Sequence, residues 1–134
     1  MEFVGVIPKD LASGVLWDQI KELILRAMVF GRGEYEIDDV LEAIKQDEMF
    51  ALGIVEDGQV KFVAVATLVQ YPRKRILYLV YGAGLGAVKA RPALLEAAKI
   101  LEVDWIETRS RESVSRVCRK HGFDTAYHVS ILEV

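Results

Sequence analysis

The sequence has few of the residues that build disulfide frameworks and metal sites. Its 134 residues include one cysteine, two histidines and three prolines. A single cysteine excludes an internal disulfide framework, and one cysteine with two histidines excludes a cysteine-rich zinc site. His121 and His128 are too far apart to form an i, i+4 metal-binding pair on one helix. The sequence therefore predicts no metal.

Long hydrophobic runs are also missing. The longest apolar run is too short to span a bilayer, and the N-terminus lacks a charged region followed by an apolar one. We therefore expect no membrane association, no secretion by a signal peptide and a location inside the cell. With 52% hydrophobic and 28% charged residues, the chain is typical of a globular protein. Its length predicts one domain over residues 1–134.

Charge is unevenly distributed along the chain. Residues 1–60 contain five basic and thirteen acidic residues, a net charge of −8, whereas residues 61–134 contain twelve and seven, a net charge of +5. A basic half suits a phosphate-bearing ligand, a nucleic acid or an acidic partner. Solvated faces that differ by chance are the alternative. Nucleic-acid binding has weak support, because no aromatic residues alternate with the basic ones.

Hydrophobic periodicity predicts an α/β fold with a mixed sheet. After a first strand come two amphipathic helices, then three strands joined as a meander, and then two helix-and-strand units. Hairpin-linked strands followed by β-α crossovers place helices on the faces of a mixed sheet. The predicted order is β-α-α-β-β-β-α-β-α-β, over residues 3–7, 16–29, 37–44, 49–55, 60–70, 75–81, 92–101, 105–108, 110–120 and 127–132. Pro92 is predicted to begin the third helix and Ser110 to cap the fourth.

Two motifs lie at informative places in this order. A glycine-rich stretch follows the third meander strand, and Cys118-Arg119-Lys120-His121-Gly122-Phe123 ends the last helix. Together with the element order, these motifs resemble the GNAT superfamily of acetyl-CoA-dependent N-acetyltransferases. The resemblance implies a GNAT-like fold and a loop whose backbone N–H groups hold the CoA pyrophosphate at a helix N-terminus. The residues of that loop are Tyr81, Gly82, Ala83, Gly84, Leu85 and Gly86.

Two positions depart from the family pattern. Tyr81 stands where the family has Gln or Arg, and Cys118 stands where the family has a tyrosine that protonates the departing thiolate. Cys118 and Glu107 are the catalytic candidates, one as the proton donor and one as the base that neutralises the amine. The alternative is that Cys118 is a small buried hydrophobe, which the apolar face that it forms with Val114 and Val117 favours.

A narrower resemblance rests mainly on the run Tyr71-Pro72-Arg73-Lys74-Arg75. This run, with the motifs above, is similar to small GNAT-like proteins encoded among the head and tail genes of tailed bacteriophages. Three adjacent cations repel one another unless an anionic partner is near, although a solvated turn is the alternative. The residues that we expect to bind partners are Arg73, Lys74, Arg75, Arg116 and Lys120.

The sequence therefore leaves two functions open. The first is a catalytically degenerate GNAT-fold phage protein that contacts other virion or assembly proteins, in the host cytoplasm during assembly and then in the virion. The altered residues Tyr81 and Cys118 favour this function. The alternative is an active N-acetyltransferase that uses acetyl-CoA and acts on an amine of a protein or small molecule.

Overall fold

The computed structural model of the protein describes residues 1–84 and 87–134. In those ranges five strands and five helices follow one another along the chain. They are β1 (Phe3–Val6), α1 (Lys9–Ala12), α2 (Trp17–Met28), α3 (Ile37–Lys45), β2 (Phe50–Glu56), β3 (Gln59–Gln70), β4 (Arg75–Gly84), α4 (Ala87–Ile100), β5 (Trp105–Thr108) and α5 (Glu112–Lys120).

The five strands form one mixed sheet in the order β1-β2-β3-β4-β5. All neighbours are antiparallel except β4 and β5, which run parallel. The β2–β3 hairpin turns at Asp57 and Gly58, and both residues have the positive φ that a tight hairpin turn requires. The β3–β4 turn is closed by the Tyr71 backbone N–H, which donates to the Lys74 carbonyl at 2.8 Å. The predicted meander and the parallel crossover are confirmed.

Each face of the sheet has its own hydrophobic core. Ile20 and Ile24 of α2 and Val40 and Ile44 of α3 pack on one face, which we call the α2 face. Ala90, Ala93, Leu94 and Ala97 of α4 pack on the other, the α4 face. Side chains of β2 and β3 alternate between the two cores, which explains why these strands are almost continuously apolar in sequence.

Three helix boundaries differ from the prediction. The four-residue helix α1 was not predicted. Helix α4 begins at Ala87, so Pro92 lies inside it rather than at its start. Pro92 is the sixth residue of α4 and lacks one backbone hydrogen bond, and burial of Ala93, Leu94 and Ala97 against the sheet holds the helix in place beyond it. Arg111, not Ser110, precedes the first residue of α5, and the Ser110 hydroxyl instead pairs with the Ser115 hydroxyl at 2.7 Å.

The predicted last strand is not formed. Residues 127–132 pair with no strand among the described residues, and their side chains are exposed. The alternation of apolar residues there is typical of a strand, but alternation alone supplies no hydrogen-bonding partner. The sheet therefore ends at β5 in the part of the chain that the structure describes.

Every helix within residues 1–84 and 87–134 is too short or too polar to cross a membrane.

Candidate functional site

An extra residue interrupts the pairing of β3 with β4. Val65 lies opposite Tyr81 and Ala66 lies opposite Leu79, so Val80 is a β-bulge with no opposite residue. A bulge shifts the alternation of side chains by one. Leu77 and Leu79 therefore pack on the α4 face, whereas Val80 and Tyr81 pack on the α2 face. As a result, Tyr78 and Tyr81 lie on the same face although they are three residues apart.

Strand β5 stops at the same point. Its last residue, Thr108, pairs with Leu79, whereas β4 continues for five more residues to Gly84. The Thr108 hydroxyl lies 3.5 Å from the Leu79 carbonyl oxygen at this junction. Residues 80–84 therefore have no strand partner on the side of β5 within the described chain, and we call this side the free edge. A free strand edge offers backbone N–H and C=O groups to an extended ligand.

Aromatic and charged side chains converge beside the bulge. The rings of Tyr35 and Tyr81 meet edge to face, with centroids 6.2 Å apart. The Arg109 guanidinium lies over the Tyr78 ring, 5.4 Å from its centroid. We call Glu34, Tyr35, Tyr78, Tyr81 and Arg109 the tyrosine cluster. The segment between α2 and α3, the bulged strand β4 and the end of β5 each contribute to it.

Two polar atoms of the cluster converge over Gly31. A Cβ placed on Gly31 would lie 3.4 Å from the Glu34 carboxylate and 3.4 Å from the Tyr81 hydroxyl. The Glu34 carboxylate is oriented by the backbone N–H of Arg32, which donates to it at 2.5 Å. The same Cβ would lie 3.3 Å from the Met28 carbonyl oxygen, so the absence of a side chain at position 31 lets the carboxylate and the phenol approach the backbone and each other.

The ionisation states in the cluster differ. Hydrogen bonds from the backbone N–H groups of Glu34 and Arg32 lower the pKa of Glu34, and the charges of Arg32 and Arg109 lower it further. Burial raises the pKa of Tyr78 and the pKa of Tyr81. At neutral pH the cluster therefore presents one carboxylate, neutral phenols and a guanidinium. Such a set can bind a cationic amine through the carboxylate and donate a proton from a phenol.

The glycine-rich stretch is largely strand. Tyr81, Gly82, Ala83 and Gly84 are the last residues of β4 and pair with β3, while Leu85 and Gly86 lie outside the described residues. The Tyr81 side chain packs against the core of the α2 face. Because α4 begins at Ala87, the free edge leads directly towards the N-terminus of a helix, which favours anions.

The two predicted catalytic residues line one cleft. Glu107 and Cys118 both border a cleft of about 1380 Å³ between β5, α4, α5 and residues 121–129. The Glu107 carboxylate accepts a hydrogen bond from the Trp105 indole at 3.3 Å, and its charge contributes to the raised pKa of Tyr78. Burial raises the pKa of the half-buried Cys118 thiol, so this group is a thiol at neutral pH.

The predicted partner-binding residues lie apart from the bulge. Arg73 and Lys74 are exposed in the turn that precedes β4, at the opposite end of the strand. Arg75 begins β4, and its backbone N–H donates to the Asp104 carboxylate at 2.8 Å. Arg116 and Lys120 are exposed on α5. The turn with Arg73, Lys74 and Arg75, which we call the tri-basic turn, is therefore separate from the tyrosine cluster, although β4 connects the two.

A metal site has no structural counterpart in residues 1–84 and 87–134. No three His, Cys, Asp or Glu side chains come close enough there to hold an ion. Of the tyrosine cluster, sequence reasoning selected only Tyr81, and it assigned that residue to the cofactor loop. The spacing of Tyr78 and Tyr81 was the available signal, but its meaning depends on the bulge at Val80.

Comparisons with solved structures give the same fold over the whole chain. The structure of an aminoglycoside N-acetyltransferase in complex with CoA has a TM-score of 0.74 at 11% identity and covers 100% of this chain and 95% of its own. A predicted acetyltransferase with acetyl-CoA from Clostridium acetobutylicum has a TM-score of 0.64 at 14% identity, covering 99% and 96%. An acetyltransferase from Trypanosoma brucei has a TM-score of 0.63 at 12% identity, covering 100% of both chains.

The class of fold follows from these likenesses. The chain has the mixed α/β fold of the GNAT acetyltransferases, as its sequence predicted. No protein-family model matches the sequence, and no curated protein matches it. The likeness in structure, at 11–14% identity, establishes the fold.

Proposed function

We propose that this protein is an acetyl-CoA-dependent N-acetyltransferase. The observation that supports this most is the geometry of β4, where a bulge at Val80 coincides with the end of β5 and leaves a free edge that leads towards a helix N-terminus. Two of the three solved structures named above contain CoA or acetyl-CoA. This proposal takes the second of the two functions that the sequence left open.

The residues present suit acetyl-CoA. The free edge of residues 80–84 provides backbone donors and acceptors for an extended, amide-containing arm, and the start of α4 provides donors for phosphates. Acetyl-CoA supplies an acetyl group activated as a thioester. The Tyr81 side chain packs against the core of the α2 face, on the opposite side of the sheet from α4. It is therefore placed to orient groups in the tyrosine cluster, and it does not take over the role of the Gln or Arg that the GNAT pattern has at this position.

The tyrosine cluster suits an acceptor amine. The Glu34 carboxylate can attract a cationic amine, and the Tyr81 hydroxyl lies close to that carboxylate beside Gly31. Because its pKa is lowered, Glu34 holds the amine but is a weak base. The phenols of Tyr78 and Tyr81 keep their protons at neutral pH and can donate one to a thiolate. Glu107, whose charge acts on Tyr78, is a second carboxylate that can receive the amine proton.

The virion or assembly function remains a prediction from the sequence. None of the three solved structures named above is described as a phage or virion protein. The tri-basic turn, distant from the tyrosine cluster along β4, leaves room for a binding surface that acts independently of catalysis. Mass spectrometry of purified phage particles tests this function separately.

The enzyme proposal is tested by acetyl transfer. The purified protein is incubated with acetyl-CoA and a set of primary amines, including a polyamine and a lysine peptide, and the acetylated amine is measured by mass spectrometry. We expect Glu34→Gln to raise KM about tenfold, because a charge-assisted hydrogen bond to the amine is lost. Tyr81→Phe should lower kcat by about 10²-fold, because a proton donor is lost.

Tyr71→Phe is the matched control. Tyr71 is exposed in the turn before β4, far from the bulge, so loss of its hydroxyl should leave kcat and KM unchanged. Failure of the folded protein to acetylate any amine in the set would overturn the proposal. Equal losses of kcat in Tyr71→Phe and Tyr81→Phe would contradict a specific role of the tyrosine cluster in the reaction.

A further inference from the structure

The segment between α2 and α3 is contacted by two side chains from the part of the chain that follows β5. The Arg111 guanidinium lies over the Phe30 ring, 3.7 Å from its centroid. The Glu133 carboxylate forms an ion pair with the Arg32 guanidinium. Phe30 and Arg32 flank Gly31, where the tyrosine cluster meets the backbone. A carboxylate 101 positions further along the chain than Arg32 therefore reaches the border of the tyrosine cluster.

The charge of Glu133 is isolated in its own segment. Residues 125–134 contain one Asp, Glu, Lys or Arg residue, which is Glu133. These residues belong to no helix or strand, and side-chain hydrogen bonds hold the segment near both of its ends. Arg119 Nη1 donates to the Thr125 hydroxyl at 3.1 Å, and the Arg32 guanidinium donates to the Glu133 carboxylate. The one such charge of the segment is thus paired with a residue that borders the site.

Arg32 has two opposite effects on the binding of a cation by Glu34. Its backbone N–H orients the Glu34 carboxylate, and its charge lowers the pKa of Glu34, which keeps that group ionised. The same positive charge repels a cationic amine that approaches the carboxylate. The charge of Arg109 also acts on Glu34, so two guanidinium groups surround one carboxylate. Glu133 supplies the second carboxylate, and with it these four charges sum to zero.

The ion pair of Arg32 and Glu133 matters more for this charge than for the stability of the fold. Both side chains are exposed, and exposed ion pairs add about 1 kcal/mol or less to the free energy of unfolding. Removal of either charge therefore leaves the fold intact. It changes the electrostatic potential beside Glu34, which a charged ligand senses and a neutral ligand does not.

We propose that Glu133 is a specificity-determining residue of the acceptor site, which favours a cationic amine because Glu133 offsets the charge of Arg32. This inference rests on the proposed function, since it takes the tyrosine cluster as the site of the amine. The substrate class that follows is a primary aliphatic amine, such as a lysine side chain or a polyamine, which is protonated at neutral pH. Weakly basic aromatic amines, which are uncharged at neutral pH, gain nothing from this arrangement.

The affinity for a lysine peptide tests this inference. A peptide with blocked ends and one lysine is titrated into the full chain at low salt without acetyl-CoA, and calorimetry gives its Kd. We expect Glu133→Gln to raise Kd about threefold. The double variant Arg32→Gln with Glu133→Gln should return to the wild-type Kd, because both charges are removed and the backbone N–H that orients Glu34 remains. An ion pair with a purely structural role would leave the double variant as weak as the single variant.

Three controls separate the local charge from other effects. Glu22→Gln removes the same charge from another exposed ion pair, with Arg26 on α2, and should bind the peptide as the wild type does. A peptide with Nε-acetylated lysine has no side-chain charge, so Glu133→Gln should not change its Kd. In about 1 M salt, the difference between the wild type and Glu133→Gln should disappear, because exposed charges are screened.

The results for this inference and for the proposed function are distinguishable. An unchanged Kd in Glu133→Gln, a double variant as weak as the single variant, or no binding of the peptide at millimolar concentration would overturn the inference. If acetyl transfer accompanies any of these results, the proposed function still stands. If the affinities follow the predicted order but no amine is acetylated, the charge control by Glu133 is supported and the proposed function alone is overturned.

Discussion

Two glycines near the end of β4 occupy different environments. Gly84 has a φ of +119°, and a Cβ there would lie 2.4 Å from the Lys61 carbonyl oxygen. A Cβ at Gly82 would meet its nearest atom, the Ala64 Cβ, at 3.7 Å. We therefore expect Gly84→Ala to lower the free energy of unfolding by about 1–3 kcal/mol, and Gly82→Ala to change it by less than about 0.5 kcal/mol. Urea denaturation measures both, and equal effects would contradict the described pairing of β3 with β4.

The ionisation of the tyrosine cluster predicts the pH dependence of the proposed reaction. Glu34, with a lowered pKa, stays charged from weakly acidic pH upward, so its own titration should not change KM between about pH 6 and 9. The phenols of Tyr78 and Tyr81, with raised pKa values, lose their protons only above about pH 10. The rate should therefore rise with pH as the acceptor amine loses its proton. A fall in rate between pH 7 and 9 would contradict these roles.

At the residue scale, the sequence predicted less of the site than of the fold. Tyr81 was selected through a motif, but its neighbours Tyr35 and Glu34 belong to a segment between helices that has no recognisable pattern. Tyr78 belongs to the same cluster because the bulge at Val80 places Tyr78 and Tyr81 on the same face of the sheet. A bulge arises from the fit between two strands, so a single strand's sequence does not specify it.

At the scale of elements, the strands were the most predictable. The continuous apolar runs of β2 and β3 are typical of strands buried on both faces, and both lie between the two cores. Residues 127–132 carry a similar apolar content, yet they are unpaired. The difference is that hairpins bring β2, β3 and β4 together, whereas residues 127–132 depend on a partner that local sequence does not specify.

The contribution of Pro92 to the stability of α4 can be tested by substitution. The proline is exposed within the helix, where it lacks the N–H that a helical residue donates to the carbonyl four residues earlier. We expect Pro92→Ala to raise the free energy of unfolding by about 1–3 kcal/mol. Leu95→Ala, at another exposed position of α4, should change it by less than about 0.5 kcal/mol. Thermal denaturation checks both, and a destabilised Pro92→Ala would show that the proline has a structural role.

At the scale of the whole molecule, the basic half of the chain divides into separate regions. The turn with Arg73 and Lys74 precedes β4, and the bulge and free edge lie towards its other end, roughly 20–30 Å away at the usual rise of a strand. Arg109 and Arg111 follow β5. Arg109 lies over the Tyr78 ring of the same half, and Arg111 lies over the Phe30 ring of the acidic half. The charge asymmetry therefore does not define one binding surface.

Titration of the labelled protein with acetyl-CoA, followed by nuclear magnetic resonance of the backbone amides, tests the central claim most directly. We expect chemical-shift changes in the amides of residues 80–84 and at the start of α4, and none in Arg73 or Lys74. Saturation should fall in the micromolar to millimolar range. Unchanged spectra at millimolar acetyl-CoA, or changes confined to the turn before β4, would contradict a cofactor site on the free edge.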